Sequence, residues 1–68
     1  MAILKVIEIL ADSDKSWEDA TCQALKKASK SVKNIRSAYV QSQSVTVKGN
    51  GKVDKYRVNV KVTFEVKK

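Results

Sequence analysis

The 68-residue chain contains no proline and no histidine, only two glycines, and one residue each of cysteine, tryptophan and phenylalanine. The scarcity of proline and glycine argues against a linker-rich or disordered chain. A single cysteine, Cys22, excludes an intrachain disulfide, and a lone thiol suits a reducing compartment. Cys22 itself reads as a small buried residue, with an exposed thiol as the alternative, and neither points to a redox role. Without histidine there is no Ser/His or Cys/His pair for nucleophilic catalysis, so the chain is not expected to be an enzyme. The acids Asp12, Asp14, Glu18 and Asp19 lack the spacing of a calcium-binding loop, and no metal site is expected. There is no long apolar run and no signal-peptide pattern, which predicts a cytoplasmic protein without a membrane partner.

What the chain does have is charge of one sign and one very regular segment. The net charge is +7, from 14 lysines and arginines against 7 acids. The cations are spread along the chain without a basic tail, and lysine, the poorer bidentate reader of phosphates, dominates. With no aromatic-interleaved basic patch, the pattern argues against nucleic acid and for a solubilising surface or an anionic small molecule. From Asp54 to Val66, Tyr56, Val58, Val60, Val62, Phe64 and Val66 alternate with Lys55, Arg57, Asn59, Lys61, Thr63 and Glu65. Period-two alternation of β-branched and aromatic residues is the mark of a strand with one face buried. At about 3.4 Å per residue this strand is roughly 44 Å long. A compact chain of this size has a diameter of roughly 28 Å. The strand therefore outruns its own domain, and the overhang calls for a partner.

The remaining elements frame this strand. Ala2 to Leu10 carries apolar residues on both sides and reads as a first strand, ended by the turn-rich Ala11-Asp12-Ser13-Asp14-Lys15. Ser16 is placed to cap a helix whose first turn holds Glu18 and Asp19. Trp17, Ala20, Thr21, Ala24, Leu25, Ala28 and Val32 recur at helical spacing through Lys33, with Asn34 as the C-cap. A second strand spans Ile35 to Lys48, and Lys48-Gly49-Asn50-Gly51-Lys52 makes a hairpin turn into the third. The prediction is one α+β domain over 1–68, ordered β-α-β-β, with the long strand in the middle of an antiparallel sheet. The helix is expected on the face of Tyr56, Val58, Val60, Val62 and Phe64, with Ala38 and Val40 from the second strand. Ser37, Tyr39, Gln41, Gln43, Arg57, Asn59, Lys61, Thr63 and Glu65 are expected on the opposite face, either wet or matched by another subunit.

In order and spacing the chain resembles the dodecins. The resemblance rests on Lys5-Val6-Ile7-Glu8-Ile9, Ser16-Trp17-Glu18-Asp19-Ala20, Asn34-Ile35-Arg36, Tyr56-Arg57-Val58 and Val62-Thr63-Phe64. It departs at Ala11-Asp12, where that family usually has Gly-Thr. The resemblance implies a three-stranded antiparallel sheet partly wrapped around one helix, and a hollow shell of twelve copies. It also implies non-enzymatic sequestering or storage of a flavin, FMN or riboflavin, or a related anionic cofactor at subunit interfaces. The family's flavin-stacking tryptophan falls on Ser37, and the glutamine that bonds the ring edge falls on Arg57. Serine offers no π surface, and stacking is worth about 1 kcal/mol beyond burial. Tyr39, two residues beyond Ser37, is a candidate aromatic contact, and Arg57 can stack on a ring or grip an anion. The alternative for Arg57 is an ion pair with Glu8 or Glu65, or with a carboxylate of another subunit. The alternative for the protein is a shell that has lost flavin binding and keeps a structural role.

Overall fold

The computed structural model describes residues 2–66. Strand β1 (Ile3–Ser13) leads to helix α1 (Trp17–Ala28), then to β2 (Ile35–Val47) and β3 (Val53–Val66). The sheet order is β1-β3-β2 and both pairings are antiparallel, so the alternating strand is central as its pattern required. The molecule is elongated, 52 × 19 × 13 Å, with a radius of gyration of 14.0 Å against about 11 Å for a compact chain of this length.

The core is thin and made of small side chains. Ala20, Ala24 and Ala28 form one buried stripe of the helix, and Ala20 meets Val58, Val60 and Val62 of β3. Ile7, Ile9, Ala11, Trp17, Leu25, Ile35 and Val40 pack around them. Alanine lets the helix lie close to the sheet, and valine fills the shallow gap without long rotamers to order. The helix starts as the sequence requires: Ser16 Oγ accepts from the Asp19 N–H at 2.9 Å.

Five boundaries and faces differ from expectation. Strand β1 runs on through Ala11, Asp12 and Ser13, which pair with Val58, Arg57 and Tyr56. The turn-like composition there is overridden because β3 is long enough to keep offering partners. The helix ends at Ala28, not Lys33. Ser29 Oγ bonds the Lys26 carbonyl, and the chain closes in turns through Ser31, where lysines crowd and a longer helix would set like charges side by side. Asn34 does adopt positive φ (65°), but as the residue that turns the chain into β2, its carbonyl accepting from the Glu65 N–H. Ala38 stays exposed because the helix sits over β1 and β3 more than over β2. Cys22, expected inside, is exposed, at a groove between the helix and β2.

Candidate functional site

One side of the sheet carries the helix and the other is open. Along β1 the open side holds Leu4, Val6, Glu8, Leu10 and Asp12, opposite Glu65, Thr63, Lys61, Asn59 and Arg57 of β3. From β2 it receives Ser37 beside Thr63, Tyr39 beside Lys61, Ser42 beside Asn59 and Ser44 beside Arg57. Two of the three irregularities between β2 and β3 set this register, the third lying nearer the hairpin at Thr46/Val47. Arg36 and Gln41 are extra residues in β2, since pairing steps from Ile35/Phe64 to Ser37/Thr63 and from Val40/Val60 to Ser42/Asn59. The second one corrects the expected place of Gln43. It faces Val58 on the helix side and lines a groove with Trp17, Thr21, Cys22 and Val40.

The open face is unusually apolar for a surface with no cover. Leu4, Val6, Leu10 and Tyr39 are 54%, 57%, 65% and 67% exposed, all on this side. Between them lie charged pairs. Arg36 sends Nε and Nη2 to one oxygen of Glu65, at 3.0 and 2.8 Å. Arg57 lies 3.7 Å from Asp12, a loose, solvent-exposed contact. The partner of Arg57 within the chain is thus Asp12 rather than Glu8 or Glu65, because the continued β1 sets Asp12 directly across the ladder. In the middle, the Asn59 Oδ1 is buried without a hydrogen-bond partner among the described residues.

Ser37 and Tyr39 share the open face near one end, two residues apart. Arg57 is on the same face but six residues along β3 from Thr63, the partner of Ser37, or roughly 20 Å at the usual strand rise. One chain therefore does not bring Ser37 and Arg57 together. Neither groove beside the helix is lined by Ser37, Tyr39 or Arg57. The larger, about 570 Å³, runs between the end of β1 and the helix, lined by Ile9, Ala11, Ala24, Lys27, Ala28 and Ser31 among others. Among the described residues no three carboxylates or thiols converge as a metal site would need. Asp19 is engaged by Ser13, whose Oγ donates to it at 2.6 Å while accepting from the Lys15 N–H at 2.9 Å. No helix among the described residues is long and apolar enough to cross a membrane.

The family model of the dodecins matches residues 3–67, nearly the whole chain. The chain belongs to the dodecin family. It is 39% identical over 67 residues to the calcium dodecin of Mycobacterium tuberculosis, covering 98% of this chain and 93% of that protein. The crystal structure of that calcium-chelating protein, with its novel calcium-binding site, superposes with a TM-score of 0.83 at 38% identity over 96% of this chain and 91% of the other. An arginine-to-alanine variant of the Thermus thermophilus dodecin superposes at 0.92 with 25% identity, both chains being fully covered. The β-α-β-β arrangement is thus the dodecin fold, in a family known for assembling as dodecamers. Dodecins are ligand-binding proteins rather than known enzymes. The dodecin match covers residues 3–67, and Ala11 and Asp12 stay paired with Val58 and Arg57 in the ladder, so the departure there is a local change and not a different fold.

Sequence reasoning missed Asp12 as a strand residue and the partner of Arg57, although it continues the alternation of Glu8 and Leu10. It also missed the isolation of the Asn59 carbonyl, for which a sequence carries no signal.

Proposed function

We propose that this dodecin forms a closed homododecameric shell that binds a small ligand where the open faces of copies meet, without catalysing a reaction on it. One observation carries the reading: the face holding Ser37, Tyr39 and Arg57 is apolar, exposed and incomplete in a single chain. Patches of this kind on a small domain mark interaction surfaces. A ligand held there would touch side chains from at least two copies, which is how residues 20 Å apart in one chain could contribute to one pocket.

The ligand class we favour is a planar or anionic cofactor of the flavin kind. Arg57 would supply donors and positive charge, Tyr39 an aromatic surface, and Ser37 room. The net charge of +7, multiplied by assembly, attracts anions and repels free cations. A lone exposed thiol suits a reducing interior, and we place the shell in the cytoplasm. The second reading is calcium, favoured by the 39% identity to a calcium dodecin and by Glu8 and Asp12 on the open face. Each of these carboxylates stands across from a cation, Lys61 or Arg57, so a calcium site would have to draw oxygens from several copies.

Native mass spectrometry of the purified protein tests the shell, and a folded monomer at micromolar concentration rejects it. Titration of the assembled protein with FMN, followed by fluorescence quenching, and with calcium, followed by calorimetry, separates the ligands. Ser37→Trp with Arg57→Gln is expected to create or strengthen flavin affinity by about tenfold or more, since each stacked ring adds on the order of 1 kcal/mol. An assembled double variant with no gain rejects the placement of the pocket at these positions. A shell that binds neither probe is the structural alternative.

A further inference from the structure

We propose that Asp12 is a built-in competitor for Arg57: its carboxylate attends the guanidinium in the ligand-free protein, and the phosphate group of an incoming ligand displaces it. Asp12 thereby sets how strongly the protein prefers a phosphorylated ligand to a neutral one. This rests on the place given to Arg57 in the ligand pocket above and adds the residue that tunes it. The starting observation is a contrast between two arginines. Arg36 is closed on Glu65 by two hydrogen bonds to one oxygen, at 3.0 and 2.8 Å. Arg57 stands 3.7 Å from Asp12, beyond hydrogen-bond distance, and its side chain makes no hydrogen bond among the described residues. The carboxylate therefore cancels part of the charge of Arg57 while leaving its N–H donors available. The two side chains are 41% and 39% exposed, so water screens the pair and exchanging one anion for another costs little.

The neighbours of Arg57 favour a group with more negative charge than one carboxylate. Lys55 lies two residues before it on the same side of β3, about 7 Å along the strand. Thr46 stands opposite Lys55, and Ser44 opposite Arg57. Strand β1 makes its last pairing at Ser13 and Tyr56, so no acid of β1 faces Lys55. Asp12 thus answers one of two adjacent cations, and this end of the open side keeps a positive surplus. A phosphate has three oxygens to share: two can accept parallel bonds from Arg57, and the third can lie toward Lys55 or the Ser44 hydroxyl. To reach Arg57 it must come beside Asp12, and two anions at that distance repel. Binding therefore requires the carboxylate to turn away, which is the penalty that Asp12 imposes. A carboxamide at position 12 removes the competitor and the repulsion together. A neutral ligand with the same ring displaces nothing and is indifferent to that charge. Glutamine at position 57 removes what the two anions compete for.

The test is a double-mutant cycle on the assembled protein, comparing wild type, Asp12→Asn, Arg57→Gln and the two changes combined. Each is titrated with FMN and with riboflavin, which differ by one phosphate, and fluorescence quenching gives the ratio of the riboflavin Kd to the FMN Kd. Asp12→Asn should raise that ratio about fivefold, the ceiling that an exposed ion pair sets. With Gln at position 57 the same change should leave the ratio where it was. An equal rise in both backgrounds, or none in either, overturns the competitor while the flavin reading stands. If wild type binds neither flavin, that reading fails, and pyrophosphate titrated by calorimetry decides. Pyrophosphate binding that Asp12→Asn creates or tightens and Arg57→Gln abolishes supports the competitor, and any other pattern overturns it. Should Asp12→Asn not assemble, Asp12→Thr takes its place in the cycle with the same expected outcome. A wild type that is monomeric throughout overturns the shell and the competitor together.

Discussion

Ser13 shows how one residue closes a local account. It is the buried polar side chain among the described residues, and both its donor and its acceptor are used, toward Asp19 and Lys15. Ser13→Ala should cost about 1–2 kcal/mol, since a carboxylate and an amide lose their partner. Urea unfolding at fixed protein concentration measures it, and a change below about 0.3 kcal/mol would contradict the bonding described. Val60, wholly buried against Ala20, should cost about 2 kcal/mol when cut to alanine, because the lost methyls leave a space the close helix cannot collapse into. Asp12→Asn is a contrast. With both side chains about two-fifths exposed and 3.7 Å apart, the pair with Arg57 should contribute under about 1 kcal/mol to folding. Residue identity was easy to read where a role is local, as with Ser16 capping Asp19. It was hard where the partner lies on another strand, as with Arg57 and Asp12, because the partner depends on how far the ladder runs.

At the scale of elements, the strand order, the hairpin and the start of the helix were legible because each has its own periodic or capping signal. The end of β1 was not, since Ala11-Asp12-Ser13 has a turn composition and only the length of β3 keeps it in the sheet. Nor was the side on which Gln43 lies, for an extra residue at Gln41 reverses the parity of everything after it without changing composition. The turn offers a clean test. Gly51 has φ of 85°, and a Cβ built there meets nothing within 4 Å. Gly51→Ala should therefore destabilise the hairpin by about 1 kcal/mol through backbone strain and not through a clash. Gly49→Ala, with equal space and no such φ, should be nearly silent in the same urea measurement.

The whole molecule is long and thinly cored, so much of its apolar surface lies outside its own interior. Val6→Lys separates the two jobs. Val6 is more than half exposed in the single chain, so the change should scarcely alter the folding of a protomer. On the open face it should break assembly, visible as a shift from large to small species in light scattering. Loss of secondary structure with intact size would contradict that division. The dodecin family and its fold were readable from the order of short motifs. The ligand was not, because the positions proposed to hold it lie far apart on one chain, and in the proposed shell their geometry would be created only when chains meet.

Trp17 and Tyr39 give this separation an optical form. The half-buried indole of Trp17 is held by contacts within one subunit, its Nε1–H on the Ser44 carbonyl at 2.9 Å and its ring edge-on to Tyr56 at 5.2 Å. Tyr39 projects from the opposite side into solvent. Indole emission should then follow the melting of each subunit, while the phenol of Tyr39 should sense the arrival of a neighbour. Dilution and heating can thus be watched in two separate wavelength channels of the same sample, with no label attached.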